Sequence, residues 1–142
     1  MTSLERFREV FADVSAPKGG LPTMPTKVSD IASDELGDMI ARYTAWREFT
    51  EDRHAEACAV VSEYKSKYDL AYSTEMLASK NSLTVTEKKA VVNANQKVAA
   101  LYKQLTDAEI FRDLLANKLD SFSNVLMMLS RELTRRGTNF SA

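Results

Sequence analysis

Lysine and tyrosine are interleaved in the stretch SEYKSKYDLAY, which covers residues 62–72. Its cations and rings are Lys65, Lys67, Tyr64, Tyr68 and Tyr72. Because lysine neutralises nucleic-acid phosphates and an exposed tyrosine ring stacks on a base, this combination is typical of a surface that holds a single nucleic-acid strand. The alternative is an ordinary helix edge, on which the tyrosines are packed and the lysines are solvated.

Charge is distributed unevenly along the 142 residues, whose formal net charge is -1. Residues 1–64 carry a net charge of -5, residues 65–97 of +3 and residues 98–142 of +1. A net charge of -1 is not that of a strongly basic nucleic-acid-binding protein. The positive segment also contains Lys97, and it supplies the predicted DNA-binding residues, which are Lys65, Lys67, Tyr68, Lys80, Lys88 and Lys89. Tyr72 is a second candidate for base stacking.

No arrangement of catalytic residues is visible. The single histidine, His54, and the single cysteine, Cys58, are one helical turn apart but lack a third metal ligand. A surface histidine and a small packed thiol are therefore favoured. Gly19-Gly20 is not followed by the Gly-Lys-Ser/Thr of a phosphate loop. The sequence predicts a protein that is not an enzyme, with no metal and no cofactor.

The N-terminal residues have the spacing of a short amphipathic helix within 1–14. Leu4, Phe7 and Phe11 recur at helical intervals, and Thr2 with Glu5 matches a capping box. So short a helix is unstable in water unless it docks, so these three apolar residues are the predicted partner-docking face. Proline and glycine in residues 15–32 predict a flexible linker.

Residues 33–142 are predicted to form two long helices. The first runs from about residue 34 to 78, with Ser33 as its N-cap. A turn follows, after which Thr84 or Thr86 can cap the next helix, and Thr84 with Glu87 matches a second capping box. The second helix is predicted at about 86–136, ended by Gly137.

A heptad repeat runs along this second helix. One position reads Val91, Val98, Leu105, Arg112, Leu119, Leu126, Leu133, and the other reads Ala94, Leu101, Ala108, Leu115, Phe122, Leu129, Arg136. Sustained heptads are typical of coiled coils. The predicted fold is therefore all-α, a long antiparallel coiled-coil-like hairpin with a short N-terminal helix. The predicted hairpin and oligomer seam comprises Val98, Leu101, Leu105, Leu115, Leu119, Phe122, Leu126 and Leu129.

Apolar residues off this seam predict a homo-oligomer, since a lone hairpin would leave Leu114, Val125, Met127 and Met128 in water. Two features stay open. Arg112, at a core position, either reaches the rim or fixes the register of the assembly. Arg131, Arg135 and Arg136 either compensate the helix dipole or bind an anion.

Several short segments together resemble the UvsY-like recombination mediators of T-even-type phages. They are LERFREVFAD, RYTAW with Tyr43 and Trp46, YKSKYD, the Thr-Glu-Lys-Lys start of the second helix, and the basic tail that ends in Arg-Gly. The resemblance covers nearly the whole chain. It implies that Lys65 and Lys67 are the basic pair used in single-strand binding and that Asp69 matches the family's acid.

The resemblance implies a ring-like oligomer that binds single-stranded DNA and helps a recombinase replace the single-strand-binding protein. It also implies the cytoplasm of an infected bacterial host. The sequence has neither an apolar run of roughly 20 residues nor a secretory signal, so no membrane contact is expected. Two alternatives remain: a coiled-coil scaffold or assembly protein, and an adaptor that captures one protein partner, both without DNA binding.

Overall fold

Helices dominate the computed structural model of this chain, which describes residues 1–141 and side chains as far as Gly137. The described part contains four α-helices and one 3₁₀ turn at Val28–Asp30, and it has no β-strand. The helices are α1 (Ser3–Val10), α2 (Ser33–Ala78), α3 (Val85–Ala94) and α4 (Gln96–Ser141). The all-α class is confirmed.

The two longest helices, α2 and α4, have 46 residues each and lie side by side. Three apolar clusters join them: Leu36 clusters with Leu129, Val61 with Leu105, and Ala71 with Val98. As the residue numbers rise along α2 they fall along α4, so the two helices run in opposite directions. A helix of this length extends about 70 Å.

The largest cluster lies at the end of the molecule where α2 begins. Its most completely buried members include Trp46, Leu36 and Leu129. Removing each such side chain from water stabilises the fold by about 1.5–3 kcal/mol. Part of the N-terminal segment also packs here, through Phe11, Ala16, Met24 and Val28.

Both predicted capping boxes are confirmed. The Thr2 hydroxyl accepts a hydrogen bond from the Glu5 amide at 3.1 Å, and the Thr84 hydroxyl accepts one from the Glu87 amide at 3.2 Å. Each glutamate in turn accepts a hydrogen bond from the amide of the threonine that caps its helix. The prediction for Ser33 was wrong by one residue, because Ala32 occupies the N-cap position and Ser33 is already helical.

The prediction of one continuous second helix was wrong at Asn95. This residue has an extended backbone (φ -62°, ψ 129°), and its side-chain oxygen accepts hydrogen bonds from the amides of Lys97 (2.9 Å) and Val98 (3.2 Å). Asn95 therefore ends α3 and caps α4. Val92 and Val98, six residues apart, are both 1% exposed. In an unbroken helix they would point about 120° apart, so the interruption lets both face α2.

The same interruption removes the first two heptad residues from the contact with α2. Val91 and Ala94 are therefore exposed. At the other end, α4 continues through Gly137 to Ser141, so the prediction that Gly137 ends the helix was wrong. Glycine permits the left-handed backbone that ends a helix but does not impose it. Among the residues described, no helix is long and apolar enough to cross a membrane.

Candidate functional site

The lysines of the positive segment lie at one end of the α2–α4 pair, which we call the tip (residues 64–102). The tip comprises the end of α2, the turn after it, α3 and the first two turns of α4. Lys88 is half-buried; the exposed lysines are Lys65, Lys67, Lys80, Lys89 and Lys97. Their clustering follows from the chain reversal, which brings residues on both sides of the turn to the same end.

Few of these cations are paired with acids. Lys67 Nζ lies 3.0 Å from Glu63 Oε1 and 5.5 Å from the centre of the Tyr64 ring. Both side chains of this ion pair are more than half exposed, so water and salt screen it. Within residues 1–137, no carboxylate lies within 4.0 Å of the other five lysines. The tip therefore presents positive charge that an anionic ligand can reach.

The two lysines of the opening stretch point to different sides of α2. Each residue turns a helix by about 100°, so Lys65 and Lys67, which are two positions apart, differ by about 200° around α2. Lys67 shares a groove of about 340 Å³ with Lys97 of α4, and Leu70 and Leu101 are among the apolar residues that line it. Lys65 is not part of this groove. The tertiary structure thus places Lys67 and Lys97 in the same groove. Lys97 was not among the predicted DNA-binding residues.

Tyr68 lies in the middle of an aromatic cluster. Its ring centre is 5.9 Å from that of Tyr72 and 5.7 Å from that of Tyr102. Burial raises the pKa of the Tyr68 phenol, and the neighbouring Tyr72, Tyr102 and Asp69 raise it further. Tyr68 also packs against the apolar clusters around Val61 and Ala71. Its ring thus serves mainly to hold α2 to α4.

Tyr102 is the accessible ring of the cluster, with 57% of its surface exposed. With Tyr68 it lines a groove of about 450 Å³, whose other lining residues are Asn93, Val98 and Ala99. Sequence analysis missed Tyr102 and Asn93. One signal for Tyr102 was present in the sequence, because it follows the seam residue Val98 by four positions. Pairing α2 with α4 then places it beside Tyr68.

The predicted partner-docking residues lie against the protein itself. The rings of Phe7 and Phe11 meet edge to face at 5.1 Å, and Phe11 stacks on Trp46 at 5.9 Å. The Ser3 hydroxyl also donates a hydrogen bond to the Asp107 carbonyl at 2.9 Å. Phe7 and Phe11 are half-buried, whereas Leu4 is 47% exposed. Only part of the predicted docking face is therefore accessible.

Three side chains of α2 hold the Gly-Pro segment that follows α1. Gly19 (φ 92°) and Gly20 (φ 69°) adopt left-handed backbone, which glycine tolerates without strain. The Gly20 carbonyl accepts hydrogen bonds from Trp46 Nε1 at 3.0 Å and from Arg42 at 3.3 Å. The Tyr43 hydroxyl donates to the Pro22 carbonyl at 3.0 Å, and burial raises the pKa of this phenol. These contacts secure residues 19–22 to α2.

At the opposite end from the tip, Glu132 brings two of the three C-terminal arginines together. Its carboxylate accepts hydrogen bonds from Arg135 (2.6 and 2.9 Å) and Arg136 (3.0 Å). These bonds lower the pKa of the Glu132 carboxyl to about 2. Arg131 is exposed. An anion that approached this cluster would meet the Glu132 carboxylate as well as the guanidinium groups.

Arg112 is paired within its own helix. Its Nε donates to Asp113 Oδ1 at 3.0 Å, and its side chain is 32% exposed. The hydrogen bond to Asp113 raises the pKa of the guanidinium. The charge thus reaches the rim of the helix pair, as one of the two alternatives for this residue requires.

His54 and Cys58 are neighbours on α2, with Cys58 Sγ 3.7 Å from His54 Nε2 and 3.9 Å from Nδ1. Both side chains are half-buried. Over the described part of the chain, no group of three or more potential metal ligands is found.

The eight predicted seam residues all lie on α4. Five of them are buried, namely Val98, Leu105, Leu115, Phe122 and Leu129, and three are half-buried, namely Leu101, Leu119 and Leu126. All of them except Leu115 and Leu119 belong to the apolar clusters that α4 shares with α2.

No family model matches the sequence, and neither a curated protein nor a solved structure matches it. The resemblance to the UvsY-like mediators therefore stays a prediction based on short motifs.

Proposed function

We propose that this protein binds single-stranded DNA through the tip and acts as a recombination mediator without catalysing a reaction itself. The observation that carries the proposal is the group of lysines at the tip, mostly free of carboxylate partners, beside the exposed ring of Tyr102. Lys65, Lys67, Lys80, Lys88 and Lys89 are assigned to phosphate contacts. The accessible groove adds Lys97 to them.

The charge distribution supports binding at the tip in spite of the overall charge of -1. Residues 65–97 carry +3, whereas the excess acids lie in residues 1–64. A strand is therefore attracted to the tip and repelled by most of the rest of α2. Each phosphate contact releases counterions, and binding weakens as salt increases.

A homo-oligomer would multiply this weak site. Large apolar side chains remain exposed on the outer faces of α2 and α4, including Leu70, Leu77, Met127 and Met128. Their burial between subunits would remove this surface from water. The proposed unit of assembly is a coiled-coil-like hairpin of α2 and α4, repeated in a ring that holds several tips near one strand. Simultaneous contacts then raise the affinity for a long strand.

The mediator role rests on the resemblance to the UvsY-like family. It implies that the proposed partners are a recombinase and a single-strand-binding protein. A DNA-bound ring would then help the recombinase replace the single-strand-binding protein. This step is tested on single-stranded DNA covered by the single-strand-binding protein, in the presence of the recombinase. Adding the protein should accelerate formation of the recombinase filament.

DNA binding is tested by fluorescence anisotropy of a labelled oligothymidine strand at low and moderate salt. The variant Lys65→Ala/Lys67→Ala removes two charges from the tip. The matched control is Lys18→Ala/Lys27→Ala, which removes the same charge from exposed lysines in the segment before α2. We expect wild-type binding to weaken with salt, the tip variant to lose most of it, and the control to retain it.

Oligomer mass is measured on the same samples, so that lost binding can be separated from lost assembly. An intact oligomer that fails to bind oligothymidine at low salt would contradict the proposal and favour a scaffold protein. Equal losses in the tip variant and its control would show that the lysines act only through net charge.

A further inference from the structure

We infer that the groove between Tyr102 and Asn93 is a nucleobase-binding subsite created by the interruption of the helix at Asn95. This inference rests on the proposed binding of single-stranded DNA and assigns to the bases a place that the lysines do not provide. The groove measures about 450 Å³ and lies between the tyrosine cluster of the tip and the start of α4. Its volume is in the range of about 300–1,000 Å³ that is usual for small-ligand sites.

The helix interruption makes this groove possible. Asn93 and Tyr102 are nine residues apart, so in one continuous helix they would lie on opposite sides, about 180° apart. The extended backbone of Asn95 separates α3 from α4, and both residues then line one groove. Asn95 also caps α4 through the amides of Lys97 and Val98, which fixes the position of the interruption.

The lining residues match the chemistry of a base. The exposed ring of Tyr102 offers a face for stacking, and Tyr68, whose ring centre lies 5.7 Å away, lines the same groove. Val98 and Ala99 add apolar surface. The Asn93 side chain carries two donors and one acceptor, so it can hydrogen-bond to the edge of any base.

Charge favours a strand of nucleic acid over a neutral aromatic ligand. Lys89 precedes Asn93 by one helical turn on the same side of α3, and it is exposed. A base in the groove would bring its own phosphates toward this cation. Because stacking does not require one particular base, the subsite is expected to accept every base and to prefer none strongly.

The test compares two strands of equal length, oligothymidine and an abasic deoxyribose-phosphate strand, by anisotropy at one salt concentration. Wild type is compared with Tyr102→Leu, which keeps apolar bulk but removes the ring, and with Tyr102→Phe, which keeps the ring. Lys103→Ala is the control at an exposed neighbour outside the groove. Circular dichroism and oligomer mass verify that each variant retains its structure.

We expect Tyr102→Leu to weaken oligothymidine binding by about five-fold or more, the effect of losing one base stack. Tyr102→Phe and Lys103→Ala should remain close to wild type. Wild type should bind the abasic strand more weakly than oligothymidine, and Tyr102→Leu should bind the abasic strand as wild type does. This pattern would place a base against Tyr102.

The outcomes separate this inference from the proposed function. If oligothymidine binding is salt-dependent and lost in the tip lysine variant but unchanged in Tyr102→Leu, the subsite is overturned and DNA binding remains. If Tyr102→Leu weakens both strands equally, the ring does not act through bases and the subsite is overturned as well. If wild type binds neither strand, the proposed function and the subsite are both overturned.

Discussion

The guanidinium of Arg136 donates a hydrogen bond of 2.5 Å to the main-chain carbonyl of Ile31, which lies 105 residues earlier in the chain. The same guanidinium donates to the Ser33 hydroxyl at 3.1 Å and to Glu132 at 3.0 Å. One side chain from α4 thus holds the segment that leads into α2. This contact holds α4 to the start of α2 at the end of the molecule opposite the tip. Toward the tip, apolar clusters hold the two helices together.

Arg136→Ala should lower the free energy of unfolding by about 1–3 kcal/mol, because it removes hydrogen bonds from a charged donor to two buried residues, Ile31 and Glu132. Chemical denaturation at neutral pH measures this change. The matched control is Arg131→Ala on the same helix, whose side chain is exposed, and we expect it to change stability by less than about 0.5 kcal/mol. Equal effects of the two variants would contradict a specific role for Arg136.

Glu132 should make the stability of the protein sensitive to acid. Its carboxyl pKa falls from 4.5 to about 2 on folding, so the unfolded chain binds more protons than the folded chain between these values. The stabilisation is therefore complete above pH 4.5 and disappears as pH falls toward 2. Glu132→Gln should be less stable than wild type at pH 7, and the difference should shrink over this interval.

Denaturation at pH 7, 4 and 3 tests the prediction for Glu132. Asp120→Asn serves as the control, because it removes an exposed carboxylate of the same helix that has no ion pair within the described residues. A Glu132→Gln variant with the same acid dependence as wild type would contradict the assignment.

Trp46 should report the docking of the N-terminal segment, because it is the only tryptophan, is 2% exposed and stacks on Phe11. Phe11→Ala should move its fluorescence to longer wavelength as water reaches the indole. It should also cost about 1–3 kcal/mol of stability, less than the loss of a fully buried phenylalanine. Leu4→Ala, at a residue 47% exposed, is the control and should leave the emission unchanged. An unchanged spectrum for Phe11→Ala would mean that the Phe11 ring does not shield Trp46.

Asn95→Ala should destabilise the protein by about 0.5–2 kcal/mol, the usual effect of losing an N-cap, although alanine is the better helix former. The reason is that a continuous helix would turn either Val92 or Val98 away from α2. Thermal denaturation measures the change, and Asn117→Ala, at an exposed position within α4, is the control. A variant at Asn95 that is as stable as wild type would show that the interruption carries no packing constraint.

Local signals in the sequence predicted local structure well. The capping boxes at Thr2 and Thr84 form as expected, because a threonine and a glutamate three residues later bond to each other's backbone without help from the rest of the fold. The first long helix was predicted to within one residue of Ser33–Ala78. The six predicted DNA-binding residues lie at one end because they flank the turn in sequence.

Features that depend on long-range contacts were not predictable in this way. The Gly-Pro segment was predicted to be a flexible linker from its composition, and nothing local indicates that Trp46 and Tyr43 would donate hydrogen bonds to its carbonyls. The division of the chain into a short helix, a linker and a helical domain stays a prediction, as does the homo-oligomer. The heptads around Asn95 suggested one helix, because periodicity records which residues are apolar and not where the backbone departs from a helix.

The sequence by itself determined the all-α class, the capping of α1 and α3, and the placement of lysines on both sides of one turn, since these follow from neighbouring residues. Only the tertiary structure decided which residues meet. It placed Lys67 and Lys97 in one groove, half-buried Tyr68 and left Tyr102 exposed. The physical reason is that side-chain exposure depends on how α2 and α4 are aligned, and that alignment is set by contacts between residues far apart in the chain.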